Sequence, residues 1–101
     1  MSEKSYLTVT ALTKYIKYKF DQDTHLKNVL LKGEISNFKH HSRGHFYFTL
    51  KDDRSTLAAV CWKTMTANLA VQPEEGLEVI ATGRLTTFAG QSKYQIVVSQ
   101  I

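Results

Sequence analysis

The sequence predicts an all-β fold, a small closed barrel of five strands behind one leading helix. Three observations carry that expectation. Hydrophobic periodicity switches once, from a helical repeat before residue 21 to strand-like segments after residue 28. Two of those segments carry an internal glycine, Gly33 and Gly83, as strands that bend round a small barrel often do. The length of 101 residues fits one domain and leaves little room for a second.

The elements follow in order. Val9, Leu12, Ile16 and Phe20 recur at helical spacing and define one apolar face, with Lys14 and Lys17 directed away from it. Thr8 is placed to cap the helix, which is expected over 8–20, and the Asp21-Gln-Asp-Thr stretch ends it. The barrel is expected over 28–101. Its first strand covers 29–38, and the loop Lys39–Gly44 leads into HFYFTLK, where Phe46, Phe48 and Leu50 alternate with His45, Tyr47 and Thr49. Asp52-Asp-Arg-Ser reads as a tight turn into TLAAVCWK, the third strand. A short helix is expected in TMTANLAV, closed by Pro73-Glu-Glu-Gly. LEVIATGRLTTF forms the fourth strand, Ala89-Gly-Gln-Ser turns the chain, and KYQIVVSQI forms the fifth. Five strands with a helix between the third and fourth is the order of an OB barrel. The fifth strand coincides with the end of the sequence, which leads us to expect a fragment of a longer chain.

Composition narrows the function. No apolar run approaches the roughly 20 residues of a membrane-spanning helix, and the N-terminus lacks the pattern of a secretory signal. One cysteine, Cys61, excludes an internal disulfide and points to a reducing, cytoplasmic setting. The net charge of +4 is unevenly spread. Lys39, His40, His41, Arg43 and His45 cluster with no acid among them, and Arg84 and Lys93 follow the last acid, Glu78. Such polarity suits a polyanionic partner.

No catalytic constellation emerges. Cys61 sits in an apolar strand, where a small core side chain is expected. Asp52/Asp53 and Glu74/Glu75 are adjacent acids on turns, which solvent normally satisfies. Phosphate-cradling glycine loops are absent. Neighbouring histidines such as His40 and His41 cannot easily face one ion, so no metal and no cofactor is expected. A binding surface has more support, because single strands need cations for phosphates and exposed aromatics on which bases stack. Tyr47 should point outward. Trp62, followed by Lys63, either offers a stacking face or plugs the barrel end. Phe88, near the last turn, lacks a reason to be apolar unless it touches something. Lys39, Arg43 and Arg84 are the phosphate candidates.

At this point the residues resemble a known family. The run GEISNFKHHSRGHFYFTLKD, the opening YLTVTALTKYIK, the segment AAVCWK, and the pair GLEVIATGRLTTF and GQSKYQIVVSQI are similar to the N-terminal domain of the large subunit of bacterial exodeoxyribonuclease VII. The resemblance covers roughly residues 6–101. Arg43 stands before Gly44 where that family often has serine, and Trp62-Lys63 stands where it tends to have an aromatic, often Phe, followed by Arg. The resemblance implies an OB barrel that presents single-stranded DNA to a nuclease domain beyond Ile101. It also implies a small helical partner subunit bound through the rest of the large subunit, and cleavage into short oligonucleotides. No catalytic residue carries over. The DNA-contact expectation falls on Trp62 and Lys63 first, then on the 39–45 loop. Two alternatives stay open: an RNA-binding module of the anticodon-binding kind, and a structural domain that docks on the nuclease domain or a partner subunit.

Overall fold

A computed structural model describes residues 6–88, 90–91 and 93–101. Its elements are α1 (Val9–Gln22), β1 (Val29–His40), β2 (Phe46–Lys51), β3 (Thr56–Cys61), α2 (Lys63–Thr66), β4 (Glu78–Thr87) and β5 (Tyr94–Gln100). The strands close into a barrel in the order β1-β2-β3-β5-β4. Every neighbouring pair is antiparallel except β3 and β5. The predicted turn over 89–92 includes Ala89 and Ser92, which lie outside the described residues. On its flanks the Phe88 N–H donates to the Lys93 carbonyl at 2.9 Å.

Alternation decides what the barrel encloses. Phe46, Phe48 and Leu50 point inward, joined by Ile35, Ala59, Cys61, Val79, Ala81, Ile96 and Val98. Burying one large apolar side chain contributes roughly 1.5–3 kcal/mol, so these positions dominate the stability of so small a fold. Cys61 is fully buried, and the loss of solvent pushes its thiol pKa up. It stays a protonated core group.

The two internal glycines serve different ends. At Gly33 and Glu34, β1 passes from pairing with β4 to pairing with β2. A Cβ at Gly33 would stand 3.3 Å from the Lys51 carbonyl oxygen. Gly83 marks a register shift between β4 and β5. A second irregularity lies in β1 between Ser36 and Lys39, where Asn37 takes φ 53°. Both N–H groups of that bulge, from Asn37 and Phe38, donate to the Glu75 carboxylate at 3.1 and 2.9 Å. Glu75 is therefore more than a solvated turn acid. It ties the β3–β4 connection to the base of the β1–β2 loop.

Asp52 shapes the β2–β3 turn. Its Oδ1 accepts from the Arg54 and Ser55 N–H groups, each at 2.9 Å. Those bonds, Arg54's first, hold its pKa below the ordinary aspartate range. A carboxylate favoured in the folded state stabilises above its unfolded pKa and loses that contribution as pH falls through the lowered folded value. We expect wild type to melt above Asp52→Asn at neutral pH. The two melting temperatures should converge on acidification, as read by circular dichroism from about pH 7 to about pH 2.

The helix departs from expectation in its facing. Thr8 does cap it, its Oγ1 accepting from the Ala11 N–H at 3.0 Å. The helix packs on β4, and the turn after it is fastened where the Leu85 N–H donates to the Leu26 carbonyl at 2.8 Å. However, Val9 and Leu12 are 80% and 43% exposed, while Thr13 is buried and Ile16 and Phe20 are half-buried. The inner face is thus Thr13, Ile16 and Phe20, and Lys17, expected to point away, borders the barrel beside Arg84. The short helix is also smaller than the expected 64–71, ending at Thr66.

Candidate nucleic-acid interface

The β1–β2 loop is held by its own backbone. The His41 N–H donates to the His45 carbonyl, and the Gly44 N–H to the His41 carbonyl, both at 2.8 Å. Gly44 takes φ 95°, a left-handed conformation that glycine adopts without penalty. A Cβ there would also meet Lys63 Cγ at 3.0 Å, because the lysine stem lies against the loop. Arg43 is exposed on this turn, its N–H donating to His41 Nδ1 at 3.2 Å.

Register then aligns the outer face. Lys39 lies opposite Tyr47 in the β1–β2 ladder, so the cation and the phenol share one side of the sheet. His40 does not join them. Its ring meets Phe46 edge-on, with centroids 4.8 Å apart, at the lip of the core.

The remaining rings form a connected group. His41 and His45 both lie edge-to-face with Tyr47, at 5.9 and 6.2 Å, and Trp62 lies edge-to-face with His45 at 5.2 Å and with Tyr47 at 6.3 Å. Tyr47 and Trp62 remain 37% and 38% exposed. Trp62 is not part of the buried core cluster, and its ring lies beside Tyr47. His45 fixes its position. His45 Nδ1 accepts from the Lys63 N–H at 2.9 Å, which places the neutral ring's proton on Nε2 and ties the loop to the residue after Trp62. Edge-to-face rings constrain one another, so stacking here requires little further ordering of side chains.

Beyond Trp62 the surface continues as a groove of about 310 Å³. Val97 of β5 lines it, with Arg84, Thr86 and Thr87 of β4, Phe88, Gln95 and, from α1, Lys17. Phe88, expected near a hairpin tip, is half-buried in this wall. The Thr86 and Thr87 hydroxyls are buried with no hydrogen-bond partner among the described residues, a state that costs about 1–3 kcal/mol per group.

The structure thus gathers His41, His45, Tyr47, Trp62 and Lys63, with Lys39 and Arg43 at one end and Arg84 and Phe88 across Trp62. His40 stands apart. Sequence reasoning missed Lys17, Thr86, Thr87, Gln95 and Val97. Gln95 and Val97 were within reach, since they alternate with the inward Ile96 and Val98. Lys17 required knowledge of how the helix docks.

Residues 7–101 match the OB-fold nucleic acid binding domain. The chain is 53% identical over 96 residues to the exodeoxyribonuclease 7 large subunit of Bacillus cytotoxicus, covering 95% of this chain and 21% of that protein. It is 55% identical over 96 residues to that of Staphylococcus carnosus, with 95% and 22% covered. The chain spans about a fifth of the length of these relatives. Among solved structures, a replication protein A heterotrimer bound to ssDNA superposes with a TM-score of 0.58 at 13% identity, covering 74% of this chain and 55% of that one. Asparaginyl-tRNA synthetase from Pyrococcus horikoshii superposes with 0.56 at 17% identity, covering 98% and 21%. These two likenesses speak for the fold. The match over 7–101, on a closed five-stranded barrel, places the chain in the OB-fold nucleic acid binding domain family.

Proposed function

We propose that this chain is the single-stranded-DNA-binding domain of an exodeoxyribonuclease VII large subunit. It presents the strand to a nuclease domain outside the chain, which cuts it into short oligonucleotides. The observation that carries the reading is the exposed Tyr47–Trp62 platform with Lys39 and Arg43 at its edge and Arg84 in the adjoining groove. Bases stack on such rings whatever their sequence, while the cations follow the backbone. The relatives, at 50–55% identity, supply the choice of DNA and of enzyme. On this reading the small subunit is met through the rest of the large subunit, and the setting is cytoplasmic. No helix among the described residues is long and apolar enough to cross a membrane.

The test is fluorescence anisotropy of labelled oligo-dT at low and moderate salt, recorded with the emission of Trp62, the chain's single tryptophan. Salt-sensitive binding with quenching is expected. The Lys39→Ala/Arg43→Ala variant should flatten the dependence of log K on log salt by about 1.4, or 0.7 for each lost phosphate contact on a single strand. Absence of binding at low salt sinks the reading. The second reading, a docking domain, has one observation in its favour: Leu7, Val9, Leu12, Tyr15 and Tyr18 are exposed on and beside α1.

A further inference from the structure

Lys17 and Arg84 line two hollows rather than one. They border the groove beside Trp62, and they also border a second hollow of about 490 Å³ between α1 and β4. Phe20, Asp21, Lys27 and Leu85 complete the second hollow. Its chemistry repeats that of the first: an aromatic ring flanked by cations. Its acid is Asp21, whose Oδ2 accepts from Lys17 Nζ at 2.8 Å, so an anion already occupies the position a phosphate would take. That ion pair is substantially exposed, with 49% and 37% of the two side chains open to solvent, and exposed pairs of this kind are weak. A polyanion can displace it.

We propose that the bound single strand does not stop at Trp62. It continues past Lys17 and Arg84 into the hollow between α1 and β4, where Lys27 meets a further phosphate and Asp21 competes for Lys17. The leading helix thereby becomes part of the DNA track, and the binding site is longer than the barrel's own face. This extension rests on the function proposed above and predicts something that function does not, a dependence on oligonucleotide length that originates in α1 and the turn after it.

The experiment compares oligo-dT of about 5 and about 15 nucleotides, near the two ends of the roughly 4–16 nucleotides that one OB barrel covers. Lys27→Gln should leave the affinity for the short oligonucleotide and its quenching of Trp62 unchanged. With the long one it should lower the salt slope by about 0.7. Asp21→Asn should tighten binding of the long oligonucleotide several-fold, a gain that loss of folding cannot imitate. If wild type binds both lengths, and both variants match it on the long one, the extension is wrong and the groove reading stands. If wild type fails to bind even the long oligonucleotide at low salt, both ideas fall together.

Discussion

Replacing Trp62 by alanine is expected to weaken oligo-dT binding roughly five- to 150-fold, the equivalent of the ~1–3 kcal/mol that one stacked base contributes. The barrel should survive. Trp62 lies outside the core, and its ring contacts are with His45 and Tyr47, themselves on the outer face. Anisotropy gives the affinity and a thermal melt gives the fold. Trp62→Phe should retain most of the binding, because a smaller π-face still stacks. A melt that collapses in Trp62→Ala with the affinity per folded molecule unchanged would make the tryptophan a strut for the loop instead of a contact.

Gly83→Ala is expected to have the largest effect on stability. The added carbon would run into the Val97 carbonyl oxygen and stand 2.9 Å from Ile96 Cγ1. The first neighbour is backbone in the paired strand and cannot swing aside. Overpacking commonly costs about 1–3 kcal/mol and more where backbone must move, so we expect about 3 kcal/mol or more. In a chain of this size that lowers the melting temperature by at least ~12 °C. Gly90→Ala is the control. Among the described residues nothing lies within 4 Å of its added carbon, and φ 72° opposes the change at about 1 kcal/mol. Similar losses in the two variants would mean that β4 and β5 are not as closely apposed as described.

The order of elements was legible because each strand carried its own punctuation. Alternation at Phe46, Phe48 and Leu50 told inside from outside before any partner was known. Gly83 was readable as a bend, since a strand has few other uses for that residue. The bulge at Asn37 was not readable, because its left-handed backbone falls on a residue that turns also use, and its clamp, Glu75, is remote in sequence. Helix facing failed for a related reason. Periodicity finds a stripe of apolar residues but not what covers it, and here the first turns of the stripe are left open. The candidate site split along the same line. Tyr47 followed from local alternation, whereas bringing Trp62 beside Arg84, Phe88 and Lys17 depends on strand register and helix docking, which are properties of the assembled barrel.

The β3–β5 ladder has one further consequence. It joins only Ala59 with Ile96 and Val60 with Val97, against six register pairs between β2 and β3. This is where the cylinder is most thinly stitched, and so the place where local opening is cheapest. Tyr47 and Trp62 lie on one side of that seam, and Thr86, Arg84 and Gln95 on the other. Anything gripped by both sides acts as a strap across the joint. Holding the strand and keeping the barrel shut then become one equilibrium, each deepened by the other.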